Sequence, residues 1–572
     1  MRRFLITALA VALLAGGWRG TPAEAQPQTA AVVTLAPYET LADALGTIGG
    51  LVNQPELPQT LELAITGATA GHGLAGIDRQ RPLGALVLAE ADDFHVVVYL
   101  PVDDMAALTE MLEAASGGAL EATADGEYEL EADGTTLFIR EENGWAAISD
   151  HREALDAAPL DPAAEFGQLP VRYLVAARGL VANIPEEIRA QAMGMLQMGM
   201  AAGMQPAPGE TPEQFELRRQ MTEQNVAQWE TLIDETEAVM VGLAFDDAVN
   251  SVKLDMELFA RPGTSLAEQY AAMEGLTTRF AAFENEEALV AMLATQVMTE
   301  NDQEAAKAWI AALEGQIVEE LGQELTEEQT ERAEQILATI VEVIDASIES
   351  GQSDVGGSLL FENGRLVLVA GGFVADGAKL EGAVKDLVDL AVEDMPELDA
   401  LVELDAETHE GVSLHRFQIP LDSPDLAELG ELLGDPVTVV VGFGAEAAYL
   451  AVGEGAQARL ETAISAVQPA AADVPVRMTI STGGLLQVFV QTAEEPFMKM
   501  MLQGIQQSLA EHPGRDRIMM TQEAIPDGVR TTVTVEQGVV QLIAGLVEVF
   551  GAMFGGFGDP AGPPPGGFGP GF

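Results

Sequence analysis

The sequence predicts an α+β fold: two diverged copies of an antiparallel sheet covered by helices, a helical-hairpin insert in the second copy, and a disordered Gly/Pro/Phe tail. Three observations predict it. Runs of β-branched residues pass into helical repeats, as in Val96 to Ala115, where VVVYLP leads through a turn into DDMAALTEMLEAA. The same strand, turn and helix unit returns at Leu366 to Ala391. Asp133-Gly134, Asn143-Gly144 and Asn363-Gly364 are hairpin signals, because these residues tolerate positive φ and join neighbouring strands antiparallel. The resulting division is a signal peptide over 1–25, a first copy over 26–277, a second copy over 278–554 with its insert at about 301–350, and a tail over 555–572.

Arg2, Arg3, the apolar run Phe4 to Leu14 and the small-x-small triplet Ala23-Glu24-Ala25 predict a secretory signal peptide, which leaves Gln26 as the first mature residue. From Ala31 the chain reads as a strand, a Pro37 turn and a helix with Leu41, Leu45, Ile48 and Val52 as its buried stripe. Past Arg81-Pro82-Leu83-Gly84, GALVLAE and FHVVVYL pair antiparallel across Ala91-Asp92-Asp93. Asp103 or Asp104 then caps a helix carrying Met105, Leu108, Met111 and Leu112. Three short strands, the helix REALDAA, a strand running into a methionine-rich helix and a closing hairpin complete the first copy. Thr211-Pro212-Glu213-Gln214 is a capping box that opens a helix through Trp229.

The second copy opens near Thr278, with Arg279 to Met298 echoing the first strand and helix. Residues 301–350 are helical in pattern, with a new start at Thr326-Glu327-Glu328-Gln329, and read as an inserted hairpin. Asp376 caps the helix of Leu380, Val384, Leu387 and Val388. GVSLHRFQI, PVTVVVGFG and AAYLAVGEG are strands, AQARLETAIS is a helix, and Trp145 and Tyr449 fall at equivalent places in the two copies. VRMTISTGGLLQVFVQTAEEPFMKMML is again a strand running into a methionine-rich helix. Val539 to Phe554 is a packed final helix: it is short for a bilayer and carries Glu548 at its middle, so no transmembrane segment remains after signal removal.

Composition narrows the function classes. Twenty-seven Lys and Arg stand against 91 Asp and Glu, a formal charge of -64, which repels nucleic acid. Acid-rich, lysine-poor usage reads first as life in salty or divalent-rich water, and second as a surface for a cationic partner. There is no cysteine, so neither a disulfide nor a lipidated cysteine exists in a compartment where disulfides would persist.

The phrases RPLGALVL, YLPVDDMAALTEML, ENGWAAISDHREALDAAPLDP and VANIPEEIRAQ, within Arg81 to Gln191, resemble a family of uncharacterised secreted or periplasmic bacterial proteins with an internal duplication. The resemblance implies an extracytoplasmic location. It transfers no functional residue, because these motifs are packing and turn signatures.

Catalytic patterns are weak throughout. His409 and His415 lie on extended chain with Gly411 as a turn between them, and read as solvated strand histidines. Asp92-Asp93 and Asp246-Asp247 read as turn and cap residues, and divalent cations, which suit such acidity, have no EF-hand loop to support them. Gly453-Glu454-Gly455-Ala456-Gln457-Ala458 imitates a dinucleotide fingerprint, but Glu454 would face the pyrophosphate with like charge. Neither a Walker loop nor a nucleophile elbow occurs. Arg178, Asp150 and His151 would have to converge in a deep pocket for hydrolytic chemistry.

The remaining signal is methionine. Met193, Met200 and Met204 share a helix face with Leu196 beside them, while Met195 and Met198 lie roughly opposite, so the helix is apolar nearly all round and reads first as buried between layers. Its second reading is an adaptable surface for a hydrophobic ligand or partner, formed by Met193, Leu196, Met200 and Met204 with Met498 and Met501 of the corresponding helix. Cu(I) capture by thioethers is chemically allowed; no cofactor, metal or catalytic residue is assigned. The leading expectation is a non-enzymatic secreted or periplasmic envelope protein that scaffolds or binds a protein or envelope polymer. The alternative is a carrier of a hydrophobic small molecule or lipid, and the third a hydrolase with an unrecognised site.

Overall fold

The computed structural model describes residues 27–90, 93–123, 127–132, 134–201, 212–324, 326–421, 427–472, 474–493, 495–510 and 514–553. The expected signal peptide, the Gly/Pro/Phe tail, Asp92, Asp133, Thr211 and Met204 lie outside them. In the first half the strands are β1 Gln28–Leu35, β2 Leu83–Glu90, β3 Asp93–Pro101, β4 Leu120–Ala122, β5 Glu127–Ala132, β6 Thr135–Glu142, β7 Trp145–Ser149, β8 Val175–Gly179, β9 Thr236–Asp246 and β10 Ser251–Ala260. After β11 Thr277–Thr278 come β12 Val290–Val297, β13 Gln352–Glu362, β14 Arg365–Phe373, β15 Val402–His409, β16 Val412–Ile419, β17 Val437–Gly444 and β18 Ala447–Val452. The last are β19 Ala470–Ala471, β20 Val476–Ser481, β21 Arg517–Ile525 and β22 Gly528–Val535.

Among the described residues every strand pairing is antiparallel. The first half runs in the spatial order 4-5-6-7-3-2-1-8-9-10. The second runs 15-16-17-18-14-13-12-20-21-22, the same order rank for rank. Twisted open sheets rarely exceed about ten strands. Here two ten-stranded orders meet where β10 pairs with β22 from Val252↔Val535 to Phe259↔Gly528, making one 20-stranded sheet. Strands β11 and β19 form a separate two-stranded ribbon.

Local sequence explains the turns and caps. Asn143-Gly144 and Asn363-Gly364 take φ of 53°/72° and 53°/82°, the positive values that a two-residue hairpin needs. Asp104 accepts the amides of Ala106 and Ala107, and Asp376 accepts that of Lys379, supplying partners for helix-start N–H groups that have none within the helix. Thr326 and Gln329 form a reciprocal capping box.

Both faces of the sheet are covered at its outer strands. On the front face, helix Met105–Ser116 packs Leu108, Met111 and Leu112 on Leu100, Leu130, Ile139 and Ile148. Helix Gly377–Asp394 lies over the equivalent strands of the second half, where its Glu381 meets His415. On the back face, helix Arg152–Ala157 and Phe166 cover Leu86, Val97, Tyr99 and Trp145, and helix Ala456–Ser465 with Phe280 and Phe283 covers Leu360, Val369, Leu414 and Tyr449. An aromatic ring rests on a strand glycine in each half: a Cβ on Gly84 would lie 2.4 Å from the Phe166 ring, and one on Gly371 would lie 2.9 Å from the Phe280 ring.

Helices interlock across the junction. Leu266 and Tyr270 of helix Ser265–Ala272 pack with Leu258, Val529 and Leu232, the last from helix Pro212–Glu235. That helix also touches Glu300–Glu324 of the second half, while Gln537–Met553 touches Tyr38–Leu51 of the first.

Several expectations need correction. The helical pair Glu300–Glu324 and Glu327–Glu349 is no insert peculiar to the second half, because Tyr38–Leu51 and Leu57–Ala68 occupy the same place between the first two strands of the first half. Helix Tyr38–Leu51 buries Ala44 and Gly49, leaving Leu41, Leu45 and Ile48 half-buried, since it packs on neighbouring helices and not on a flat sheet. Periodicity gives three strands where each half has four, missing edge strand β4, which is only three residues long, and edge strand β15, which alternates acids through a bulge at Asp405. Trp145 pairs with Pro101, whereas Tyr449 sits two positions further along its strand, opposite Gly371.

Candidate functional site

Registers across the junction align one row of apolar residues on the front face. Val175 of β8 stands opposite Leu243 of β9, which stands opposite Leu254 of β10. The row continues through Val533 of β22, Met520 of β21, Met478 of β20 and Met292 of β12. Seven strands at about 4.8 Å spacing make it roughly 29 Å long. Side chains directly opposite on adjacent strands share a face, so the row is continuous. Val175 (40% exposed), Leu243 (38%), Met520 (36%) and Met292 (44%) remain open.

The next row reads Ala177, Val241, Met256, Thr531, Gln522, Val476 and Ala294. Val241 and Met256 are exposed too, and Thr531 and Gln522 set one hydroxyl and one amide in an otherwise apolar strip. A long concave or flat apolar strip with a few polar groups is the chemistry that holds an elongated hydrophobic molecule. One sequence signal pointed here. An antiparallel strand with one wet face alternates, yet AVMVGLAF in β9 is apolar at both parities.

The methionines singled out by sequence fall elsewhere. Met193 is buried in helix Glu186–Ala201; Leu196 and Met200 lie on the same helix, but their side chains, and Met204 altogether, lie outside the described residues. The helix is not buried all round, for Met195 and Met198 are 54% and 68% exposed. On helix Pro496–Ala510, Met498 is exposed and Met501 half-buried. Among the described residues no core cluster contains Met193 or Met498, so the two methionine helices do not line one apolar core.

Behind the apolar rows the opposite face is apolar at β8 and β9, where Tyr173, Ala176 and Met240 form a small core, and polar at β10 and β22. Glu257 of β10, nearly fully buried, lies 2.9 Å from Arg172 and 2.8 Å from Arg530 of β22, so a carboxylate of the first half joins a guanidinium of the second. Arg530 also holds Glu523 at 2.9 Å. Asp255 accepts the Tyr173 and Thr532 hydroxyls. Burial, then the hydrogen bond to Asp255, pushes the Tyr173 hydroxyl above the usual tyrosine range, keeping it a donor. A cleft of about 530 Å³ opens beside Tyr173, Asp246, Lys253 and Asp255. Its cations are matched, Lys253 lying 2.7 Å from Asp246, whose carboxyl that hydrogen bond holds below the ordinary value.

His409 and His415 do not build a shared centre. His415 is fully buried, which corrects the expectation of a solvated strand histidine: it faces the helix layer, not water. Its Nδ1 accepts the Asp405 amide at 3.0 Å, so the neutral ring carries its proton on Nε2, which points at Glu381 from 3.4 Å. Glu381, Asp405 and His415 could group around an ion, but the Lys385 ammonium already lies 2.8 Å from both carboxylates and supplies that charge. His409 belongs to a different grouping with Glu407 and Glu461, where Gln457 donates to both carboxylates. Asp150 and His151 are 3.1 Å apart at the end of β7, but Arg178 is on β8, four strand spacings or roughly 19 Å away. The hydrolytic trio does not converge.

Among the described residues no helix is long and apolar enough to cross a membrane. No protein-family model, no curated protein and no solved structure matches the chain.

Proposed function

We propose that this chain is an exported carrier of an elongated hydrophobic molecule, a lipid or a compound of similar shape, held on the front face where its two halves meet. The carrying observation is the seven-residue apolar row from Val175 to Met292, continuous through the β10 and β22 junction and open at four of its members. The equal strand orders of the halves support descent from one duplicated ten-stranded module, as the repeated Asp-capped helices do. The leader-like start at Arg2 to Ala25 and the family resemblance support export. A scaffolding or partner-binding role rests on acidity and duplication alone, which fit any polar partner, whereas the apolar row discriminates.

Magnitudes are adequate for reversible carriage. Covering the open part of Val175, Val241, Leu243, Met256, Met292 and Met520 contributes roughly 4 to 7 kcal/mol, at about 1.5 to 3 kcal/mol per fully buried side chain. The ligand's own apolar surface contributes about as much again, and association costs at least about 4 kcal/mol, leaving a Kd on the order of micromolar. The test is titration with a fluorescent long-chain fatty acid. Wild type should bind with saturable emission gain, and Leu243→Asp with Met256→Asp should raise Kd at least tenfold without changing circular dichroism. A wild type that leaves the probe's emission unchanged, or a double variant that binds as well, would end the carrier reading.

A further inference from the structure

The helical hairpin formed by Thr482–Thr492 and Pro496–Ala510 ends in an apolar tip. Phe489 is 57% exposed, Phe497 65%, Met498 43% and Met500 70%, and Ala493 and Glu495 between them belong to the connection. At 1.5 Å rise per residue, all four side chains lie within about 8 Å of that connection along their helices, so they surround one end of the hairpin. A tip of this kind is unusual in this chain. The protein carries -64 formal charges, yet from 482 to 510 only Glu494, Glu495 and Lys499 are charged, a net -1. The corresponding helix of the other half, Glu186–Ala201, exposes Met195 and Met198, and from 190 to 209 no residue is charged at all. By element order Glu186–Ala201 takes the place of Thr482–Thr492, and both are poor in charge; Pro212–Glu235, in the place of Pro496–Ala510, carries eight charged residues, so the apolar second helix is peculiar to the second half.

We infer that the 482–510 hairpin docks on a neutral phospholipid surface by inserting Phe489, Phe497, Met498 and Met500 into the interface between headgroups and acyl chains. Aromatic and methionine side chains suit that boundary, and a nearly uncharged tip is the part of so acidic a molecule that meets lipid without headgroup repulsion. Glu494 and Glu495 of the connection and Lys499 just beyond it leave the segment at net -1 with both signs present, which suits zwitterionic phosphocholine better than an anionic lipid. The inference extends the carrier reading and rests on it for its purpose, since a carrier must meet the membrane that gives or takes its load. Its evidence is separate from the apolar row.

The test is flotation of the full mature chain with phosphatidylcholine vesicles in a density gradient at low and high salt, in parallel with the fatty-acid titration. Wild type should float to the same extent at both salt concentrations, and Phe489→Asp, Phe497→Asp, Met500→Asp combined should reduce the floated fraction at least fivefold. The variant should keep its unfolding midpoint and its probe affinity, because the three side chains are exposed. Wild type remaining at the bottom of the gradient overturns the inference. So does flotation that needs anionic lipid with divalent cations, or a wild-type dimer that the triple variant converts to monomer while neither floats, which would make the tip an interface between copies. If wild type floats and loses flotation in the variant but neither binds the probe, docking stands and the carrier reading falls.

Discussion

Removing the Glu257 side chain should weaken the junction between the halves by about 2 to 3 kcal/mol. Glu257 is 4% exposed and holds two guanidiniums, one from each half, at 2.8–2.9 Å. Breaking a buried ion pair from one side costs about 3 to 5 kcal/mol, because the partner stays desolvated without its counter-charge. Two features lower the figure here: Arg530 retains Glu523 at 2.9 Å, and the Arg172 side chain is 41% exposed and hydrates once released. Glu257→Gln keeps an acceptor for each guanidinium and should cost about half as much. Urea unfolding followed by far-ultraviolet circular dichroism reads both variants, with the slope checked for a split transition, since two weakened halves unfold in two steps. A loss below about 0.5 kcal/mol for Glu257→Ala, or an equal loss for Glu257→Gln, would refute the assignment of this ion cluster as the tie between halves.

Other consequences are as direct. Burial holds the His415 pKa below the usual histidine value, reinforced by Lys385 and opposed by Glu381 and Asp405. The unfolded chain therefore takes up this proton first, near pH 6.5, so His415 contributes stability that is complete above that pH and is lost as pH falls towards its folded value. His415→Phe should flatten the fall of the urea midpoint between pH 7.5 and 5, and an unchanged slope would contradict the neutral buried ring. Gly84→Ala should cost about 1 to 3 kcal/mol by overpacking, because the new methyl would meet the Phe166 ring at 2.4 Å, and Phe166→Leu in the same chain should recover part of it in thermal melts. Asp104→Ala removes the acceptor for the Ala106 and Ala107 amides and should cost about 0.5 to 2 kcal/mol, with Asp104→Asn close to wild type.

What could be read from the residues was whatever is decided within a few positions. Asn143-Gly144 and Asn363-Gly364 announce hairpins because few other pairs adopt two successive positive φ angles, and Asp104, Asp376 and Thr326 announce helix starts because their oxygens reach amides two or three residues on. Pairing of β10 with β22 joins residues more than 260 positions apart, and nothing in SVKLDMELFA says which edge it meets. The apolar row follows from that pairing, so apart from the doubly apolar AVMVGLAF of β9 it too was hidden: Met256, Met292 and Met520 look like ordinary strand residues until register sets them on one face. Methionine-rich helices drew attention to Met193 and Met498 instead, since helical periodicity is visible without partners. His415 misled for a related reason, as its burial comes from helix Gly377–Asp394 folding over β16, a contact between segments about 30 residues apart.

Native mass spectrometry of the protein purified from its source cells without detergent tests the carriage of a hydrophobic molecule most directly. The account predicts a discrete apolar adduct that organic extraction removes and that Leu243→Asp with Met256→Asp strips away while the fold persists. A bare polypeptide mass for wild type, unchanged after incubation with long-chain lipid, would contradict it.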